Sequence, residues 1–102
     1  MRLIVLFDLP TKSKKDKKNY IDFRKLLISS GFFMIQYSVY MRACEGQYSV
    51  KTYEQLVINN IPLNGSVRII TLTDEQYKNM KVYIGKKINN NEEIYEKQLL
   101  LF

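Results

Sequence analysis

Histidine is absent from the chain and cysteine occurs once, as Cys44. Without histidine there is no Ser-His-Asp or Cys-His triad, no histidine general base, and none of the common zinc sites built on imidazole. A lone cysteine forms no internal disulfide, and with no imidazole to activate it Cys44 reads as a small half-buried hydrophobe. Any catalysis is left to carboxylates and a hard cation. Also missing are an apolar run of the roughly 18 or more residues that a membrane span needs, and the charged, apolar and small-residue zones of a signal peptide. The expectation is a cytoplasmic protein with no membrane partner.

What is present is a chain of 102 residues, 46% of them hydrophobic, enough for one domain with a real core. The net charge is +6, and it is unevenly spread. Residues 1–50 carry nine Lys or Arg against four Asp or Glu, whereas residues 51–102 carry seven against six. A basic first half fits a polyanionic partner. Abundant Lys, Asn and Ile is also what AT-rich codon usage produces, so charge alone leaves both explanations open.

The chain is organised around its opening stretch. Leu3, Ile4, Val5, Leu6 and Phe7 lead directly into Asp8, Leu9, Pro10 and Thr11. Five consecutive apolar residues closed by a proline predict a short strand buried on both faces. Alternation puts Leu3, Val5 and Phe7 on one face and Ile4, Leu6 and Asp8 on the other. Asp8 thus ends an otherwise apolar face. It is either a turn residue accepting a backbone hydrogen bond or a ligand for a hard metal ion.

Further along, Lys12, Lys14, Lys15, Lys17 and Lys18 cluster at the start of a helical pattern whose stripe is Tyr20, Phe23 and Leu27 with Leu26 beside it, and Gly31 caps its end. Lysines at a helix N-terminus oppose the helix dipole. Bound phosphate would relieve this, while a solvated lysine face tolerates it. Residues 32–44 are aromatic and β-branched, and their length predicts two strands or one sharply bent strand, broken near Gln36 to Ser38. Glu45-Gly46-Gln47 reads as a turn, and Ser49 as the cap of a second helix that buries Val50, Tyr53, Leu56 and Val57 and runs to Asn59-Asn60. Asn64-Gly65 marks a turn before a strand over residues 66–72. Thr73 and Gln76 form a capping box for a short helix through Met80, and Lys81 to Gly85 reads as a further short strand. Lys86 to Glu93 looks like a linker, and Gln98 to Phe102 like an apolar strand in need of a sheet edge.

This order predicts an α+β fold, a ferredoxin-like βαββαβ sandwich with an extra C-terminal strand, in which residues 1–85 form the domain and residues 86–102 the linker and last strand. With no third long helix to cover its other face, the sheet is expected to pack on a second copy, bringing two Asp8 carboxylates towards a two-fold axis.

Taken together, these stretches resemble the small CRISPR-associated Cas-two family. The resemblance rests on the opening strand closing in Asp8-Leu9-Pro10-Thr11, on Phe23-Arg24-Lys25 leading to Gly31-Phe32, and on Gln36-Tyr37-Ser38-Val39-Tyr40. It continues through Gly65-Ser66-Val67-Arg68 and Thr73-Asp74-Glu75-Gln76 to the apolar C-terminus. The Pro-Thr turn and the segment from Gly31 to Tyr40 look most like members from type II systems, although many relatives carry Phe where this chain has Tyr40. The resemblance implies a face-to-face homodimer whose C-terminal strand pairs with the partner subunit. It further implies a partnership with the Cas-one integrase in spacer acquisition. In the family the aspartate matching Asp8 is assigned to binding Mg²⁺ or another divalent cation and to endonuclease activity on single-stranded RNA or double-stranded DNA.

The residues themselves leave two functions in contention. One is a metal-dependent phosphodiesterase centred on Asp8. The other is a non-catalytic scaffold that holds double-stranded DNA by its phosphates, with Lys12, Lys14, Lys15, Lys17, Lys18 and Arg42 as the candidate nucleic-acid contacts. An RNA-recognition module of similar fold is disfavoured, because the chain lacks that module's aromatic stacking motif.

Overall fold

A computed structural model of the chain describes residues 1–85. Its elements run β1 (Arg2–Asp8), α1 (Lys14–Ser29), β2 (Phe33–Gln36), β3 (Val39–Ala43), α2 (Gln47–Ile58), β4 (Ser66–Leu72) and α3 (Asp74–Lys78). The strands form one antiparallel sheet in the order β2-β3-β1-β4. This is the ferredoxin-like arrangement. Its central strand is β1, paired on both edges, which is why that stretch tolerates so little polarity. The expected linker and C-terminal strand lie outside the described residues. No helix among the described residues is long and apolar enough to cross a membrane.

Alternation along β1 divides its side chains as the sequence predicts. Leu3, Val5 and Phe7 face the two long helices and join Tyr20, Phe23 and Leu27 of α1 and Val50 and Val57 of α2 in one core cluster. The Phe7 ring is its hub, with centroids 5.2 Å from Phe23, 5.7 Å from Tyr40 and 5.9 Å from Tyr20. Burying each such Leu, Val or Phe stabilises the fold by about 1.5–3 kcal/mol. Core packing therefore fixes where β1 ends.

Helix α1 stops where expected. Gly31 takes a φ of 88°, and the Phe32 amide donates back to the Leu27 carbonyl at 3.0 Å. The break in residues 32–44 also falls where predicted, with Tyr37 and Ser38 turning the chain between β2 and β3, Ser38 at a φ of 61°. Helix α3 has the predicted box, Thr73 Oγ1 accepting from the Gln76 amide and Gln76 Oε1 accepting from the Thr73 amide. It ends at Lys78, short of Met80.

Two expectations are corrected. Ser49 does not cap α2: the Gly46 carbonyl already accepts from the Val50 amide at 3.0 Å, so the helix starts at Gln47 and Ser49 sits inside its first turn. Lys81 to Gly85 is not a strand, because no described strand offers that segment a ladder.

The second face of the sheet is partly covered by the chain itself. Ile4 and Met41, both on that face, are only 4% and 1% exposed. Tyr77, Met80 and Val82 share with Ile4, Leu6, Val39 and Ile70 an apolar cleft of about 540 Å³. Ile70 and Phe33 remain about half exposed, at 48% and 52%. An apolar surface thus continues beyond what α3 shields.

Candidate functional site

Asp8 is exposed and stands at the end of β1, opposite Ser66 of β4, while Leu6 stands opposite Arg68. Cross-strand partners share a face. Asp8, Ser66 and Arg68 therefore lie on the side away from the long helices. With Tyr37 and Ser38 they line an open cleft of about 270 Å³, which adjoins the apolar cleft through Leu6 and Val39. Among the described residues neither Asp8 nor Arg68 forms an ion pair.

The walls of this cleft are held in place. The Phe7 amide donates to the Ser38 carbonyl at 3.1 Å, tying the β2–β3 turn to the end of β1. Tyr20, buried on α1, hydrogen-bonds to Tyr37 and to Ser38 from behind, and burial followed by the Tyr37 contact pushes its hydroxyl far above the ordinary tyrosine range. Arg24 Nε donates to Tyr40 Oη at 3.0 Å, fixing the ring that stacks on Phe7.

As a cation site this set is incomplete. Among the described residues no group of three or more His, Cys, Asp or Glu comes together, and Asp8 is the one carboxylate on the cleft. Serine oxygens are hard donors but neutral ones, and a single carboxylate is a weak hold on a divalent ion. The described residues of one chain do not by themselves fit a resident metal.

Lys12, Lys14, Lys15, Lys17 and Lys18 are all exposed at the start of α1. Of these, Lys18 alone is ion-paired among the described residues, to Asp22 at 2.8 Å. The helix end is itself capped: Ser13 Oγ accepts from the Asp16 amide at 3.0 Å and the Asp16 carboxylate reaches back to the Ser13 amide at 3.4 Å. The dipole argument for phosphate at this end weakens accordingly, since Asp16 already supplies the negative charge. What remains is a row of lysines, four of them without an acidic partner among the described residues.

Arg42 lies apart from these lysines. It stands opposite Leu3 on the helix-facing side, its guanidinium 3.8 Å from the centre of the Tyr53 ring and packed against Gly31. Its Nε is buried with no hydrogen-bond partner among the described residues. Sequence reasoning missed Arg68, Ser66, Tyr37 and Ser38 as neighbours of Asp8. The signal available was the alternation Ser66, Arg68, Ile70, which puts them on one face without saying what they face.

Comparison with known proteins agrees with this architecture. The family model for CRISPR associated protein Cas2 matches residues 1–80. A protein of Ligilactobacillus salivarius named CRISPR-associated endoribonuclease Cas2 is 41% identical over 101 residues, covering 99% of this chain and all of that one. Its namesake in Acidovorax ebreus is 38% identical over the full length of both chains. Another from Campylobacter jejuni is 41% identical over all of this chain and 71% of its own length. A crystal structure of Streptococcus pyogenes Cas2 at pH 6.5 superposes with a TM-score of 0.60 at 19% identity, covering 81% of this chain and 99% of that one, a likeness of fold. The chain belongs to the CRISPR-associated Cas2 family.

Proposed function

We propose that this protein is a nucleic-acid-binding component of CRISPR spacer acquisition, a homodimeric scaffold that holds double-stranded DNA by its backbone beside the Cas-one integrase. The observation that carries this reading is the row of exposed lysines at the start of α1, four of them without an acidic partner among the described residues, in a chain of this family. Point charges on flexible stems suit phosphates and read no bases. Dimerisation is supported by the apolar face around Ile70 and Phe33.

A second reading, metal-dependent cleavage of single-stranded RNA or double-stranded DNA, is favoured by the placement of Asp8 and by the name endoribonuclease that the relatives carry. In it, Asp8 of each of two copies would hold Mg²⁺ or another divalent cation. Such an ion lends Lewis-acid stabilisation to phosphodiester hydrolysis. Because the described residues of each chain offer the ion one carboxylate, the scaffold is the stronger reading.

Reconstituted integration of a duplex with the cognate integrase, run beside cleavage assays with and without Mg²⁺, separates the two. Under the scaffold reading Asp8→Asn keeps integration whatever happens to cleavage. Integration that disappears together with Mg²⁺-dependent cleavage favours the enzyme.

A further inference from the structure

Of the chain's eight asparagines, Asn64 is the one followed by glycine. The pair sits in the connection between α2 and β4, and both residues are exposed. An asparagine side chain can close a five-membered ring onto the next backbone nitrogen, and a glycine there lacks the Cβ that crowds the closure. In a folded protein the ring closes only where that nitrogen and that side chain are released from other contacts. At this turn both are released. Among the described residues the Gly65 amide makes no backbone hydrogen bond, and the Asn64 side chain makes no hydrogen bond.

The other asparagines are held. The amide after Asn19 belongs to Tyr20, inside α1. After Asn59 the Asn60 amide donates to the Val57 carbonyl at 3.0 Å, while Asn59 Oδ1 accepts from Gln55 Nε2 at 2.8 Å. Asn60 Nδ2 donates to the Leu56 carbonyl at 2.8 Å, and the residue that follows is the β-branched Ile61. After Asn79 the Met80 amide donates to the Tyr77 carbonyl at 3.1 Å. Asn89, Asn90 and Asn91 lie outside the described residues.

We infer that Asn64 is a site of spontaneous covalent modification, deamidating through a succinimide to aspartate and isoaspartate at the turn that abuts Asp8. Hydroxide takes the proton from the Gly65 nitrogen, which attacks Asn64 Cγ. The N–Cγ bond forms, the Cγ–Nδ2 bond breaks, and the departing nitrogen takes a proton from water to leave as ammonia, returning hydroxide. Water then opens the ring. Opening at Cγ gives aspartate with the backbone unchanged, whereas opening at the former backbone carbonyl gives isoaspartate, whose chain runs through the side chain and is longer by one methylene. The balance is one water consumed and one ammonia released, with no change of oxidation state.

The place of the turn gives the modification a consequence. Gly65 holds a φ of 95° and lies so close to the end of β1 that a Cβ on it would sit 2.6 Å from the Asp8 carbonyl oxygen and 3.0 Å from Leu9 Cα. An extra backbone carbon immediately before Gly65 displaces that contact. Ser66, the next residue, is the ladder partner of Asp8, so the first pair of the β1–β4 ladder is disturbed with it. Aspartate at position 64 adds a charge to an exposed side chain and leaves this packing alone.

The test is incubation of the full chain at 37 °C and a series of pH values, with peptide mass spectrometry to locate the conversion of amide to acid and methylation by a protein isoaspartyl methyltransferase to count isoaspartate. Asn64 should convert in proportion to hydroxide, and roughly tenfold faster than Asn79, whose attacking amide must first give up a hydrogen bond. In denaturing urea that ratio should narrow, because Asn79 is released and Asn64 already is. Asn64→Gln, which would have to close a larger ring, should leave its peptide unmodified. The isoaspartyl form, separated by ion exchange, should unfold at a lower urea midpoint than fresh protein, while freshly prepared Asn64→Asp should match fresh protein. Conversion at Asn64 no faster than at Asn79 in the folded chain, or a ratio unchanged in urea, overturns the site. An isoaspartyl form as stable as fresh protein overturns its coupling to the end of β1.

Discussion

Gly65 approaches Asp8 so closely that a Cβ placed on it would lie 2.6 Å from the Asp8 carbonyl oxygen. Its φ of 95° is in the left-handed region that side chains disfavour. Both effects act against Gly65→Ala. The variant should lose about 1–3 kcal/mol of stability, read as a lower midpoint in urea at unchanged m-value. The close approach is to the backbone of the residue that carries the candidate carboxylate, so the same variant should disturb any activity that depends on Asp8. An alanine variant as stable as wild type would mean that the turn relaxes freely.

Arg42 on Tyr53 gives a prediction about stability. A guanidinium 3.8 Å from a ring centre in a half-buried setting contributes about 0.5–2 kcal/mol. Arg42→Gln should therefore destabilise the fold by roughly that amount, and Tyr53→Phe should cost much less because it keeps the ring. Thermal or urea unfolding of both variants checks this. If Arg42→Gln leaves stability untouched and flattens the salt slope of DNA binding, its role lies with the nucleic acid.

The open sheet face predicts self-association. Ile70 is 48% exposed within one chain, and burying that remaining half of an isoleucine on a second copy is worth about 0.7–1.5 kcal/mol. Light scattering at micromolar concentration should report a dimer. Ile70→Lys should weaken it by more than tenfold, since a charge would have to be desolvated at the interface. A well-folded wild-type monomer at that concentration would contradict the dimer.

Asp74 sets a limb of the acid unfolding curve. The amino group of Met1 donates to its Oδ1 at 2.8 Å and Arg2 Nε donates at 3.2 Å, and these interactions, the amino group first, hold its carboxyl below the ordinary range. A depressed carboxyl stabilises the fold above the unfolded-state pKa of about 3.9 and loses that contribution as pH falls through the lower folded value. Asp74→Asn should thus be slightly less stable than wild type near neutrality, lose stability less steeply below about pH 4 and converge with wild type at lower pH. Parallel acid curves for the two proteins would show that the interaction does not persist in solution.

Much of the fold is legible in the residues. The apolar run from Leu3 to Phe7 can only be a central strand, Gln36 to Ser38 interrupts an otherwise continuous extended segment, and Thr73 with Gln76 is a capping pattern whose geometry forms as read. Ser49 misled because a serine before apolar residues looks like a cap, while the actual first turn closes on Gly46, which has no side chain to signal it. The Ser13–Asp16 box was present as a pattern but hidden among lysines. The cleft was less legible for a different reason. That Arg68 and Ser66 flank Asp8 depends on strand register, and register is set by core packing across the sheet, with no local spacing to announce it. Arg42 shows the same limit, since its register opposite Leu3 turns it towards the helices and only the position of Tyr53 on α2 gives it a ring to stack on.

The most direct test of the account is duplex-DNA affinity measured against salt for wild type and for a variant with Lys12, Lys14, Lys15, Lys17 and Lys18 replaced by Gln. The account predicts a linear fall of log affinity with log salt for wild type, the same on unrelated sequences, and a slope flattened in the variant by about 0.9 for each phosphate it no longer neutralises. A slope identical in the two proteins, or wild-type binding indifferent to salt, would contradict it.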